Sequence, residues 1–89
     1  MMNSIINYFH LTAEQVEKLT DQQTDILLFI LTHGSITPMD AFSKLWITKL
    51  STRVSEMKAM GIQFDQNFES HVNEFGKTHH YMRYRRAAA

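Results

Sequence analysis

The sequence predicts an α+β fold: a three-helix core with a C-terminal β-hairpin, preceded by a short helical N-terminal extension. Three observations point to it. Apolar residues recur with helical spacing as far as Met60 and with a period of two from Ile62 onward. Helix-start residues (Thr12, Thr20, Thr37 with Pro38) alternate with the stop residues Gly34 and Gly61. The densest cationic cluster of the chain, Lys77, Arg83, Arg85 and Arg86, falls on the alternating segment. With 89 residues there is room for one small core. Cysteine is absent, and no regular His/Asp/Glu ligand spacing occurs. Neither disulfides nor a metal site nor any cofactor is therefore expected.

Met2, Ile5, Ile6 and Phe9 fall at i, i+3, i+4 and i+7, one face of a first short helix. Thr12 with Gln15 three residues on forms a capping pattern for a second helical segment over Ala13 to Leu19. Residues 1–19 are read as a helical extension whose apolar stripe either completes the core or supplies a homodimer contact, with a slight lean to the dimer. Thr20 or Asp21 caps the main core helix, Gln22 to His33, which buries Ile26, Leu27, Ile30 and Leu31. Gly34 stands where a left-handed C-terminal residue is wanted. After a short extended stretch at Ser35 and Ile36, Thr37 caps a helix with Pro38 in its first position, where the missing N–H is harmless. Ala41, Phe42 and Leu45 turn this helix inward. Trp46, Ile47 and Thr48 make a compact connection, with the indole as a core anchor. A third core helix, Thr48 to Met60, buries Leu50, Val54 and Met57. Two strands follow, joined by a loop over Ser70 to Lys77 in which Asn73 and Gly76 are the turn residues. Residues 20–86 form the folded unit, and Ala87 to Ala89 are read as a tail or a cloning scar.

The net charge is zero, but it is segregated along the chain. Residues 1–40 carry five carboxylates and one lysine, residues 41–89 four carboxylates and eight Lys or Arg. A polar field of this kind decides where a polyanion docks more than the total does. If Leu50, Val54 and Met57 face inward, a turn of about 100° per residue puts Thr48, Thr52, Ser55 and Ala59 on the far side, flanked by Lys49 and Glu56, with Ser51 also counted in the candidate surface. Short hydroxyl side chains approach base edges closely in a major groove, and Lys49 can reach a guanine or a phosphate. Arg53 and Lys58 lie on the flanks, better placed for phosphates. Lys77, Arg83, Arg85 and Arg86 on a projecting hairpin can grip phosphates or a narrow minor groove. His79 and His80, adjacent on a strand, point to opposite faces and do not share a metal. No glycine-rich phosphate cradle, nucleophile elbow or carboxylate pair appears, so no enzyme is expected. The N-terminus has no basic flank and no long apolar run, so neither a signal peptide nor a membrane span is expected. A cytoplasmic location follows.

His33, Gly34, Ser35, Ile36, Thr37, Pro38 and Ala41 open a pattern that continues with Ile47, Leu50, Arg53, Val54, Met57 and Gly61. It closes with Asn73, Phe75, Gly76, Tyr84 and Arg85. Across residues 20–86 this resembles the small helix-turn-helix domains encoded by bacteriophages and prophages. The resemblance departs at Trp46, where a glycine commonly starts the turn. It implies a winged helix-turn-helix, binding to double-stranded DNA, and a phage-type setting in a bacterial host cell. The expected function is sequence-specific DNA binding in transcriptional control. The alternatives are an excisionase-like architectural factor, or a phage protein that binds and inhibits a host protein.

Overall fold

The computed structural model describes residues 2–88. Along the chain run α1 (Met2–Phe9), α2 (Ala13–Lys18), α3 (Asp21–His33), α4 (Pro38–Leu45), α5 (Leu50–Ala59), β1 (Phe64–Val72) and β2 (Thr78–Arg86). This is the expected α+β arrangement, with the hairpin at the C-terminal end. Among the described residues no helix is long and apolar enough to cross a membrane.

Threonine starts three of the helices by one device. Thr12, Thr20 and Thr37 each accept a hydrogen bond from the backbone N–H three residues on, and the side-chain oxygens of Gln15, Gln23 and Asp40 accept one in turn from the cap residue's N–H. Thr20, rather than Asp21, is therefore the cap of α3. Gly34 ends α3 in the left-handed conformation, φ 90°, and donates to the Ile30 carbonyl.

Ile26, Leu27 and Ile30 of α3 are fully buried, and Ile36, Ala41, Ile47, Leu50, Val54, Met57, Ile62 and Tyr84 close around them. Burying each large side chain stabilises the fold by about 1.5–3 kcal/mol. Leu31 and Leu45 are only half-buried. Phe42, expected inside, is 51 % exposed, because α4 is anchored through Ala41 and Phe42 lies on its other side.

The stripe on α1 belongs to this same core. Ile5 and Phe9 are buried and Ile6 is half-buried, while Met2 is largely exposed. The Phe9 ring lies 6.0 Å from that of Phe64 at the base of the hairpin. Of the two uses expected of this stripe, completing the core is the one seen: Ile5 and Phe9 cover α3 and the root of β1, so they are not free for a homodimer contact. Gln15 adds a second tie, donating from Nε2 to the Met60 carbonyl at the end of α5.

The strands pair antiparallel from Phe64 opposite Arg86 to Val72 opposite Thr78. β1 continues through Ser70 and His71, so the loop is shorter than the sequence suggested. Asn73 shapes it, its Oδ1 accepting from the Phe75 and Lys77 N–H groups, while Gly76 takes φ 79°. On its other edge β2 meets Ile36: the Ile36 N–H donates to the Tyr84 carbonyl and the Tyr84 N–H to that of Ile36. This bridge locks the hairpin to the segment before α4. Beyond Tyr84 and Met82 the hairpin leaves the body, exposing Phe68, Val72 and Phe75.

Ala88 donates its N–H to the Asp65 carboxylate. Ala89, the last residue of the expected tail, lies outside the described residues.

Candidate nucleic-acid interface

With Leu50, Val54 and Met57 buried, α5 presents Thr52, Ser55 and Ala59 to solvent, with Ser51 and Lys58 along one flank. The helix begins two residues later than the hydrophobic spacing suggested. Thr48 is exposed, but it sits in the turn and not on the helical face. Lys49 takes the N-cap position and makes no side-chain cap bond. The first-turn N–H groups of α5, where the helix dipole is positive, are thus left without a side-chain partner.

The turn between α4 and α5 is made by Trp46 at φ 59°, ψ 30°, with its N–H directed to the Ala41 and Phe42 carbonyls. Ile47 behind it is buried and donates to the Ala41 carbonyl. Trp46 is not the expected core anchor: the indole is 80 % exposed, because a left-handed residue at the end of α4 sends its side chain outward while Ile47 fills the core. Trp46, Thr48, Lys49 and Arg53 line an open basin with Thr20, Asp21 and Gln22 from the start of α3.

Arg53 departs from expectation. Its guanidinium is half-buried, Nη1 lies 3.3 Å from a Glu56 carboxylate oxygen, and Nε is buried with no hydrogen-bond partner. The same Glu56 oxygen accepts from Gln23 Nε2 at 3.1 Å. Arg53 and the capping glutamine of α3 together restrain the one carboxylate of α5. Arg53 is thus paired within α5 rather than standing as a free phosphate contact, and the tie between α3 and α5 is the Gln23–Glu56 hydrogen bond. Lys58 is exposed and directs its ammonium to the Gln66 side chain on β1, joining the end of α5 to the hairpin.

On the hairpin, Asp65, Asn67, Glu69 and His71 share one face with Arg85, Arg83, Tyr81 and His79. Arg83 is not the free cation the sequence suggested. Its Nε donates to Glu69 at 2.8 Å and its Nη1 to Ser35 Oγ at 2.8 Å, which ties the hairpin to the segment before α4. Glu69 also accepts from the Tyr81 hydroxyl at 3.1 Å. The Arg83 hydrogen bond holds the Glu69 carboxyl below its ordinary pKa, and Glu69 in turn pushes the Arg83 guanidinium up. Arg85 donates to Asn67 Oδ1 at 2.5 Å and lies 3.9 Å from Glu69, with much of its guanidinium still exposed. Arg86 stacks over the Tyr8 ring of α1, 4.3 Å from its centroid. Lys77 is exposed at the hairpin end. His71 and His79 face each other across the strands while His80 belongs to the opposite face. Among the described residues no group of three or more His, Cys, Asp or Glu could hold a metal ion.

The sequence pattern located the polar face of α5 and the cationic hairpin. It missed Gln23, Ser35 and Asn67, whose roles depend on contacts far along the chain. Glu56 was legible as a neighbour of Thr52 on the helical wheel. The outward swing of Trp46 carried no signal in composition or spacing.

In comparisons with known proteins, a family model described as a winged helix-turn-helix domain matches residues 21–87, most of the chain. No curated protein and no solved structure gives a significant match.

Proposed function

The chain belongs to the winged helix-turn-helix domain family, and from that premise we propose that it binds double-stranded DNA sequence-specifically, as a phage-type transcriptional regulator without enzymatic activity. The observation that carries this reading is the outward side of α5. Thr52, Ser55 and Ala59 stand clear of the core on a rigid element, with Ser51 beside them. Side chains this short let the helix approach base edges in the major groove, and Ser and Thr can donate or accept there. Thr48, Lys49 and the uncapped start of α5 then meet a phosphate strand. The hairpin contributes Lys77, Arg85 and Arg86 to backbone or minor groove, and Arg83 with Ser35 and Glu69 fixes the angle at which they are presented. The setting that goes with this use is the cytoplasm of a bacterial host. Two copies on adjacent half-sites would multiply the affinity of so small a reader, through a surface other than the buried stripe of α1.

The test is selection of a preferred duplex from a random pool, followed by titration of preferred and random duplexes at several salt concentrations. Lys77→Ala and Arg85→Ala should weaken both duplexes alike and flatten the log-log salt slope by roughly one per lost phosphate contact. Thr52→Ala and Ser55→Ala should reduce the preference and leave the slope unchanged. A protein-binding use of the same scaffold is the second reading, favoured by the zero net charge and by the pairing of Arg53 and Arg83 with carboxylates. Absence of any retention of random duplex at micromolar protein and low salt would transfer support to it.

A further inference from the structure

We propose that Trp46 is itself a DNA-contacting residue, its indole packing against the sugar-phosphate strand that borders the reading helix; this rests on the DNA-binding reading above. The chain spends stability on this side chain twice. A non-glycine residue held in the left-handed region is strained. An indole 80 % exposed keeps most of its apolar area in water, and its aromatic neighbour among the described residues is Phe42, edge-on at 6.3 Å between ring centroids. Glycine at this position would remove both penalties, so the intramolecular fold supplies no reason for tryptophan.

The surroundings identify the partner. Trp46 shares its basin with Thr48, Lys49 and Arg53 at the head of α5. The carboxylate that Arg53 faces, Glu56, is already engaged by Gln23 and Arg53, and Asp21 is the basin's one acidic side chain. A surface that offers an apolar plate, an indole N–H and the exposed ammonium of Lys49 matches a nucleotide strand, with its apolar sugar edges and anionic phosphates. It matches an acidic or purely apolar protein surface less well. The position, one turn before the helix that faces the groove, is where that helix meets the flanking strand.

Trp46 is the only tryptophan, so its emission reports on this contact alone. Binding of a fluorescein-labelled duplex is followed by anisotropy, while acrylamide quenching of Trp46 is measured in the same full-length protein with and without unlabelled duplex. The expected result is that saturating duplex protects Trp46 from acrylamide and that salt restores quenching as it releases the duplex. Trp46→Gly, which suits the backbone, should stay folded and bind about tenfold more weakly, equivalent to about 1.4 kcal/mol of lost contact. Duplex binding by anisotropy with unchanged quenching, or with unchanged affinity of Trp46→Gly, would overturn the inference and leave the DNA-binding reading standing. Protection that grows with protein concentration in the absence of duplex would overturn it in favour of contact between copies. Failure of the wild-type chain to bind any duplex would remove the underlying reading itself.

Discussion

Glu69 gathers three donors within the hairpin, Arg83 Nε, Tyr81 Oη and the Asn67 amide, while Arg83 passes the connection on to Ser35 before α4. A carboxyl whose folded pKa is depressed contributes stability above its unfolded pKa, and that stability is lost as pH falls through the folded value. The direction seen for Glu69 therefore predicts that the hairpin loosens in acid, at and below the ordinary carboxylate range. The thermal midpoint of the wild type, measured from neutral pH downward, should fall more steeply than that of Glu69→Gln; parallel curves would show that the pin contributes nothing. Tyr84 behaves in the opposite sense, since burial raises its phenol pKa and favours the neutral form in the fold. At Trp46 the prediction concerns backbone strain. Replacement by glycine should stabilise the fold by about 1 kcal/mol, read as a higher urea midpoint at unchanged slope. A lower midpoint would mean that the exposed indole supports the fold.

At the level of elements, the threonine caps, Pro38, Gly34 and the Leu50, Val54, Met57 seam were legible because each follows from local chemistry: a side chain satisfying its own helix, or a period set by 3.6 residues per turn. The strand pairing was legible in kind but short in extent, because residues such as Ser70 and His71 have no intrinsic strand preference and are recruited by their partners His80 and His79. What stayed hidden were choices made by contacts distant in sequence. Arg83 is drawn to Ser35, Glu56 to Gln23, and the indole is displaced by Ile47. The hairpin loop gives a local test. Asn73→Ala removes the acceptor for two backbone N–H groups and should cost about 1 kcal/mol, while raising amide exchange at Phe75 and Lys77. Unchanged exchange would mean that Gly76 alone sets the loop.

For the whole molecule, the first helix decides whether the chain is a bare DNA-binding unit with an appendage or one continuous core. Ile5 and Phe9 are buried with α3 and the base of β1, so Ile5→Ala should destabilise the fold by about 2–5 kcal/mol. That loss should be the same at every protein concentration, whereas a side chain shared with a second copy would give a concentration-dependent midpoint. The acidic N-terminal half and the basic C-terminal half of the sequence thus contribute to one core, with α5 and the hairpin in the basic half. The central claim is that the exposed side of α5 reads bases. It is tested most directly by the ratio of dissociation constants for a selected duplex and a random duplex, measured in parallel for the wild type, Thr52→Ala and Ser55→Ala. The ratio should shrink toward unity in at least one variant while binding to random duplex holds; equal weakening on both duplexes, or no change on either, would contradict the claim.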